Sequence, residues 1–296
     1  AVYKALRFDL RQYKYIKMFV HAEAYKNKPL HDNQAVAFIR LGTDFSDNYY
    51  QVEIPLKVTQ PGSSSEYAIW PKENQFSIPM EVLTKLKAIS IRNQTLDRVT
   101  YYDANYNVVS ENAPYHAGEN RYVIKGNPSL GSVRAMMVGI KNVSGSNGLS
   151  GEFWFNELRV AELENHGGWA AIGSLDANAS ELLNISATGR MHTVGFGSVD
   201  QTPKQRALEN TQEYDVMMNV NAGKLLPPKW NMQIPVGLNH SQKLSTPEYD
   251  PVYQDIKLED RLDVAPKRTA ICTKMHCNMQ QNAAKTHENH HFRDYL

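Results

Sequence analysis

The chain has 296 residues, room for one large or two ordinary domains. Its 32 basic and 31 acidic residues nearly cancel, which argues against a nucleic-acid partner, since such partners leave a basic face. No apolar run is long enough for a transmembrane helix, but barrel strands alternate and never produce such a run.

The opening stretch AVYKALRFDLRQYKYIKMF has neither the apolar core nor the small-residue cleavage site of a signal peptide. It reads as the interior of a domain, so a fragment of a longer protein is expected. Residues 15–25 alternate, with Ile16, Met18, Val20, Ala22 and Ala24 on one side. Residues 35–41 are apolar on both faces, as in a central strand. Residues 48–58, 132–141 and 151–160 supply further strands, and 81–89 a short helix. Turn-rich stretches at 60–66, 126–131 and 144–151 separate them. Residues 1–161 are therefore expected to form a jelly-roll-like β-sandwich.

Such sandwiches often bind sugars, and Trp70, Tyr101, Tyr102 and Tyr106 are candidates for a stacking platform, set against ordinary core packing. Asp44, Asp47 and Asn48 invite a calcium reading, but an Asx-rich turn before a strand explains them more simply. Glu152, Glu157, Glu162 and Glu164 cluster near the domain end, where alternating or loop-borne acids are usually solvated. No catalytic site, cofactor or metal is expected, and the chain does not read as an enzyme.

Residues 162–258 change character. Four segments, about 169–181, 184–194, 214–225 and 230–240, alternate apolar with polar residues over the length a tilted barrel strand needs to cross a membrane. In the fourth, Met232, Ile234, Val236 and Leu238 are expected to face lipid, and Asn231, Gln233 and Asn239 the lumen. Asn219 and Asn221 are the lumen-facing candidates of the third. Trp169, Tyr214 and Trp230 fall at segment ends, where interface aromatics sit. Short links at Leu182–Leu183 and Leu226–Lys229 contrast with the long polar stretch 196–213. Read by the barrel rule of short periplasmic turns, this sets Trp169 at the outer rim. The fold class expected is all-β: a sandwich followed by antiparallel transmembrane strands belonging to a very large barrel. A soluble sheet with one wet face would alternate in the same way.

Several long stretches carry a family resemblance. They are GEFWFNELRV (151–160), GGWAA (167–171), GFGSVDQ (195–201), NTQEYDV (210–216), LLPPKW (225–230), IPVGLNHS (234–241) and TPEYDPVYQDIKL (246–258). DLRQYKYIKMFVHAE (9–23) and AFIRLGTDFSDNYYQVEIPL (37–56) extend it. From about Asp9 to Leu262 the chain resembles the SprA/Sov family, outer-membrane translocons of the type IX secretion system and gliding motility in Bacteroidetes. The resemblance implies a very large single-chain barrel that conducts folded cargo proteins to the cell surface of a Gram-negative bacterium. It also implies a PorV-like outer-membrane partner, a periplasmic plug protein and contact with outer-membrane lipid.

Residues 259–296 are expected to be an irregular or disordered tail. Cys272, His276, Cys277, His287, His290 and His291 carry zinc-binding groups but fit no standard closed spacing. The rival reading is a secreted carbohydrate-binding sandwich. The discriminator is the surroundings of Trp230, Met232, Ile234, Val236 and Leu238: lipid in the first case, protein in the second.

Overall fold

The computed structural model describes residues 1–26, 28–145, 148–201, 205–230, 232–258 and 260, and the backbone of 270–279. In chain order the elements are β1 (Val2–Phe8), β2 (Tyr13–Ala24), β3 (Ala35–Gly42), β4 (Tyr49–Pro55), α1 (Glu66–Ile69), β5 (Gln75–Pro79) and α2 (Met80–Arg92). Next come β6 (Thr100–Tyr102), β7 (Val108–Val109), β8 (Arg121–Lys125), β9 (Val133–Asn142) and β10 (Gly151–Leu163). Then follow β11 (Ala170–Ala179), β12 (Leu183–His192), β13 (Glu209–Asn221), β14 (Pro235–Pro247) and β15 (Ala270–Met279). The chain divides into two units, 1–165 with 249–266 and 166–248 with 267–296.

The first unit is an antiparallel β-sandwich. One sheet has the order β1-β9-β3-β4-β8-β6-β7 and the other β10-β2-β5. One hydrophobic cluster joins them: Ile16, Met18, Val20 and Ala22 from β2, Ile39 and Leu41 from β3, and Val52 and Ile54 from β4. Helix α2 adds Leu83 and Leu86 to that cluster. The two-residue period of β2 puts its even positions inside, and β3, apolar on both faces, lies between β9 and β4. The strands expected at 15–25, 35–41, 48–58, 132–141 and 151–160 are β2, β3, β4, β9 and β10, and the helix at 81–89 is α2.

Residues 249–260 belong to this unit as well, whereas the sequence places 249–258 with the barrel strands. The reason lies in buried chemistry. Lys87 of α2, on the helix face with Met80, Leu83 and Leu86, is 1% exposed. Its ammonium donates to Asp255 Oδ1 at 2.6 Å and to the Pro128 carbonyl at 2.6 Å. The Tyr50 hydroxyl donates to Asp255 Oδ2, also at 2.6 Å. Ile256 is buried next to Asp255 in the chain, and Arg11 stacks over Tyr249 at 4.6 Å. A buried ammonium needs a carboxylate, and only the returning segment supplies one to Lys87 among the described residues.

The second unit is a single antiparallel sheet in the order β11-β12-β13-β14-β15. The segments expected at 169–181 and 184–194 are β11 and β12. The third and fourth are displaced: β13 begins at Glu209, and β14 runs from Pro235 to Pro247. Residues 228–230 form a 3-10 turn instead, so Trp230, Met232, Gln233 and Ile234 precede the strand rather than opening it. Proline explains the shift. Pro227 and Pro228 favour the turn, and Pro235 is tolerated where it stands, at the first residue of the strand, because it has no N–H to donate. Residues 270–279, expected to be irregular, pair along β14 from Ser245↔Ala270 to Val236↔Met279. The hydrogen-bonding groups of β14 on that side give the segment a template. The rest of the expected tail, with His287, His290 and His291, lies outside the described residues, as do the side chains of Cys272, His276 and Cys277.

Candidate membrane-facing sheet

Directly paired residues of an antiparallel ladder share a face. The register therefore sorts the second sheet without further assumption. One face carries Ala171, Gly173, Leu175, Ala177 and Ala179 of β11 against Met191, Gly189, Ala187, Ile185 and Leu183 of β12. It continues with Val216, Met218 and Val220 of β13, and Val236 and Leu238 of β14. The other face carries Ser174, Asp176 and Asn178, then Asn184, Ser186, Thr188 and Arg190, then Glu213, Asp215 and Asn219. Arg190 Nε lies 3.5 Å from a Glu213 carboxylate oxygen on this side. Ala170, Ile172 and Met217 are its apolar exceptions, all exposed.

Of the expected lipid-facing residues, Val236 and Leu238 sit in the apolar rows, paired with Val220 and Met218. Of the expected lumen-facing residues, Asn219, Asn221 and Asn239 share the polar face. Met232, Gln233 and Ile234 lie in the link before β14, and Asn231 lies outside the described residues.

Among the described residues the apolar rows are left without a core of their own. Among the described residues no hydrophobic side chain from 166 to 248 is buried, and the core cluster draws only on the first unit. All ten residues of β11 are exposed, Leu175 at 65%. A sheet in water normally sets its apolar face on a core. This one spans five apolar rows on β11, about 27 Å at ~3.4 Å per residue. At a tilt of ~40° that covers about 21 Å, near the ~25 Å apolar band of an outer-membrane barrel. The band narrows along the sheet: it fills β11 and β12, shortens on β13, and on β14 ends at Leu238, beyond which stand His240 and Gln242.

Tyr214 lies inside β13, not at a strand end as expected. It marks the border of the band all the same. Its hydroxyl donates to Gln242 Oε1 at 2.5 Å and lies 3.2 Å from His240 Nε2, so the ring sits on the apolar face with its polar tip satisfied. Trp169, just before β11, is 55% exposed, and Trp230, at the opposite end of the sheet, 61%. The loop contrast is weaker than the sequence suggests. Residues 180–182 make a tight turn with Ser180 at φ +53°, but the described residues of 222–234 hold no strand, like the described residues of the long link 193–208.

The other sequence candidates are dispersed. Tyr102 is fully buried and shares a hydrogen bond with Ser90. Tyr106 packs against the core, and Trp70 packs on Phe19 and His21, so no platform joins Trp70 to the three tyrosines. Asp44 Oδ1 accepts from the backbone N–H groups of Ser46, Asp47 and Asn48, and Oδ2 accepts from the Asn48 side chain. This is the Asx turn. Burial alone would raise the Asp44 carboxyl, but those hydrogen bonds outweigh it and hold its pKa well below the usual range.

A family model for motility-related and secretion proteins, SprA_N, matches residues 1–262, both the sandwich and the four strands β11–β14. No curated protein matches the chain. A role in secretion or motility and an association with the membrane or cell envelope accompany that match. With the sandwich, the two-faced sheet and the returning segment all inside the matched range, the chain belongs to the SprA_N family of motility-related and secretion proteins.

Proposed function

We propose that β11–β14 are wall strands of a protein-conducting channel in the outer membrane of a Gram-negative bacterium, through which folded cargo reaches the cell surface in type IX secretion and gliding motility. One observation carries this reading. The sheet has a contiguous apolar face with no core against it and a polar face opposite, the division a barrel wall makes between lipid and lumen. The polar face mixes hydroxyls, amides and charges, with Arg190 beside Glu213 and the carboxylates Asp176 and Asp215 in neighbouring rows, and among the described residues it presents no acid–base or nucleophile set, as suits a passive conduit. Chemistry, cofactor and metal play no part in the proposal. A PorV-like partner and a periplasmic plug protein would open and close the path, with the driving energy spent elsewhere.

The test is cysteine scanning of β13 and β14 in outer membranes carrying the full parent protein, with Cys272 and Cys277 replaced by serine. Cysteines at 217, 219, 237 and 239 should react with a membrane-impermeant thiol reagent. Those at 218, 220, 236 and 238 should not. Labelling that ignores parity would remove the wall assignment.

A further inference from the structure

The polar face contains an ordered feature that a wet wall does not by itself require. Asn178, Asn184 and Asn219 occupy one register row on three adjacent strands, Asn178↔Asn184 and Asn184↔Asn219. The row continues into Gly237, which has no side chain to obstruct it. With Asn221 these residues line a recess of about 400 Å³ at the end of the sheet near the Ser180–Leu182 turn. Aligned asparagines commonly bond to one another, but here they do not. Among the described residues the exposed amides of Asn178, Asn184 and Asn219 bond to no other protein group, and Asn221 Oδ1 is buried without a protein partner. The one carboxylate lining the recess, Glu181, is paired with Lys224.

A carboxamide offers two N–H donors and a carbonyl acceptor, the same groups as a peptide bond, and carries no charge. A row of them repeating every ~4.8 Å across the strands presents several such groups at one level. A charged row would retain oppositely charged surfaces and repel like ones. We infer that the row Asn178–Asn184–Asn219, with Asn221, is a contact site for the exposed backbone of a passing polypeptide, at loops, termini and strand edges, and that its neutrality lets cargo of either charge pass. This inference rests on the wall reading above and names what that wall recognises.

The experiment uses the parent protein in lipid nanodiscs with a photo-cross-linking amino acid placed singly at 184, 219, 186, 185 or 218. The probes are three soluble peptides: neutral Gly/Ser/Asn, Glu-rich and Lys-rich. In a background carrying D176N, which removes the carboxylate of the neighbouring row, adducts should form at 184 and 219, weakly at 186, and not at 185 or 218, with similar yields for all three peptides. In the variant N178D/N184D/N219D, read from a cross-linker at 186, the Glu-rich yield should fall about tenfold relative to the Lys-rich, equivalent to about 1.4 kcal/mol. Yields at 186 equal to those at 184 overturn the amide row and leave the polar wall standing. So does an aspartate variant that leaves the peptide ratio unchanged. Absence of peptide adducts at 184, 186 and 219 together, or equal adducts at 185 and 218, overturns the wall itself.

Discussion

Replacing Asp255 by asparagine should destabilise the sandwich more than any surface change in the chain. Asp255 is 2% exposed as a residue, with its side chain fully enclosed, and it holds three donors: the Lys87 ammonium, the Tyr50 hydroxyl and, at 3.4 Å, the Leu130 N–H. Asparagine keeps the shape and can still accept from Tyr50, but it leaves the buried ammonium with no directly bonded carboxylate, facing the Pro128 carbonyl and the Tyr253 ring 5.3 Å away. Breaking a buried pair by removing one partner costs about 3–5 kcal/mol. That is a large share of the ~5–15 kcal/mol that stabilises an ordinary domain. Adding Lys87→Met removes the stranded charge, so the double variant should recover at least about 2 kcal/mol over Asp255→Asn alone.

The pH dependence has a definite sign. Burial lowers the Lys87 pKa from its ordinary 10.5, and the Asp255 charge and hydrogen bond only partly oppose that. A depressed lysine costs stability wherever it must be charged, and the cost fades as pH rises toward 10.5. Without Asp255 the depression deepens, so the deficit of Asp255→Asn should shrink steadily on moving from neutral to alkaline pH. The assay is urea unfolding in detergent followed by Trp70 and Trp154, with Trp169 and Trp230 changed to phenylalanine. A loss under about 1 kcal/mol, or strict additivity of the two substitutions, would refute the argument that the returning segment completes the core.

On the sheet, Leu175→Arg, in the middle of the apolar rows of β11, should cost about 2–4 kcal/mol of membrane stability, while Ser174→Arg next to it should cost little, because only the first sets a cation on the proposed lipid face. Heat-modifiability of the parent barrel on gels checks this, and equal losses would contradict the face assignment. Asp44→Ala should lose about 1 kcal/mol at neutral pH, as a lost cap does. Since the Asp44 pKa is depressed, its contribution is present above the ordinary carboxylate range and disappears as pH falls through the folded value, so wild type and variant should converge in acid. Any β-carbon on Gly168 would overlap the Val194 carbonyl and the Phe196 nitrogen. Gly168→Ala should therefore cost about 1–3 kcal/mol and raise proteolysis of the 193–208 link.

The sandwich strands were legible because one apolar face per strand writes a two-residue period, as in β2 and β4. β1, β5, β6, β7 and β8 carry too few alternating positions to stand out. The faces of the second sheet were readable from the same period, and the strand ends were not. The alternation Trp230, Met232, Ile234, Val236, Leu238 runs unbroken through Pro235, and only turn formation at Pro228–Trp230 and the missing proline N–H decide where pairing begins. The segment TPEYDPVYQDIKL was visible as a resemblance, but its role was hidden. The signal that could have found it is Lys87, a lysine at i+4 from Leu83 on the apolar stripe of α2, which called for a distant carboxylate.

The order of the chain makes physical sense once that segment is placed. Four antiparallel strands bring the chain back to the end of the sheet at which it entered, since Ala170 and Pro247 both lie there. The next residues complete the sandwich through Asp255 and Ile256, and the chain then rejoins the sheet at that same end, where Ala270 pairs with Ser245. The Lys87 ammonium therefore stays without its carboxylate until β14 has been made, since Asp255 follows β14 in the chain. β11 meanwhile leaves one edge unpaired among the described residues, and unpaired backbone groups in lipid cost several kcal/mol each. In the proposed wall, the edge of β11 away from β12 therefore needs another strand beside it.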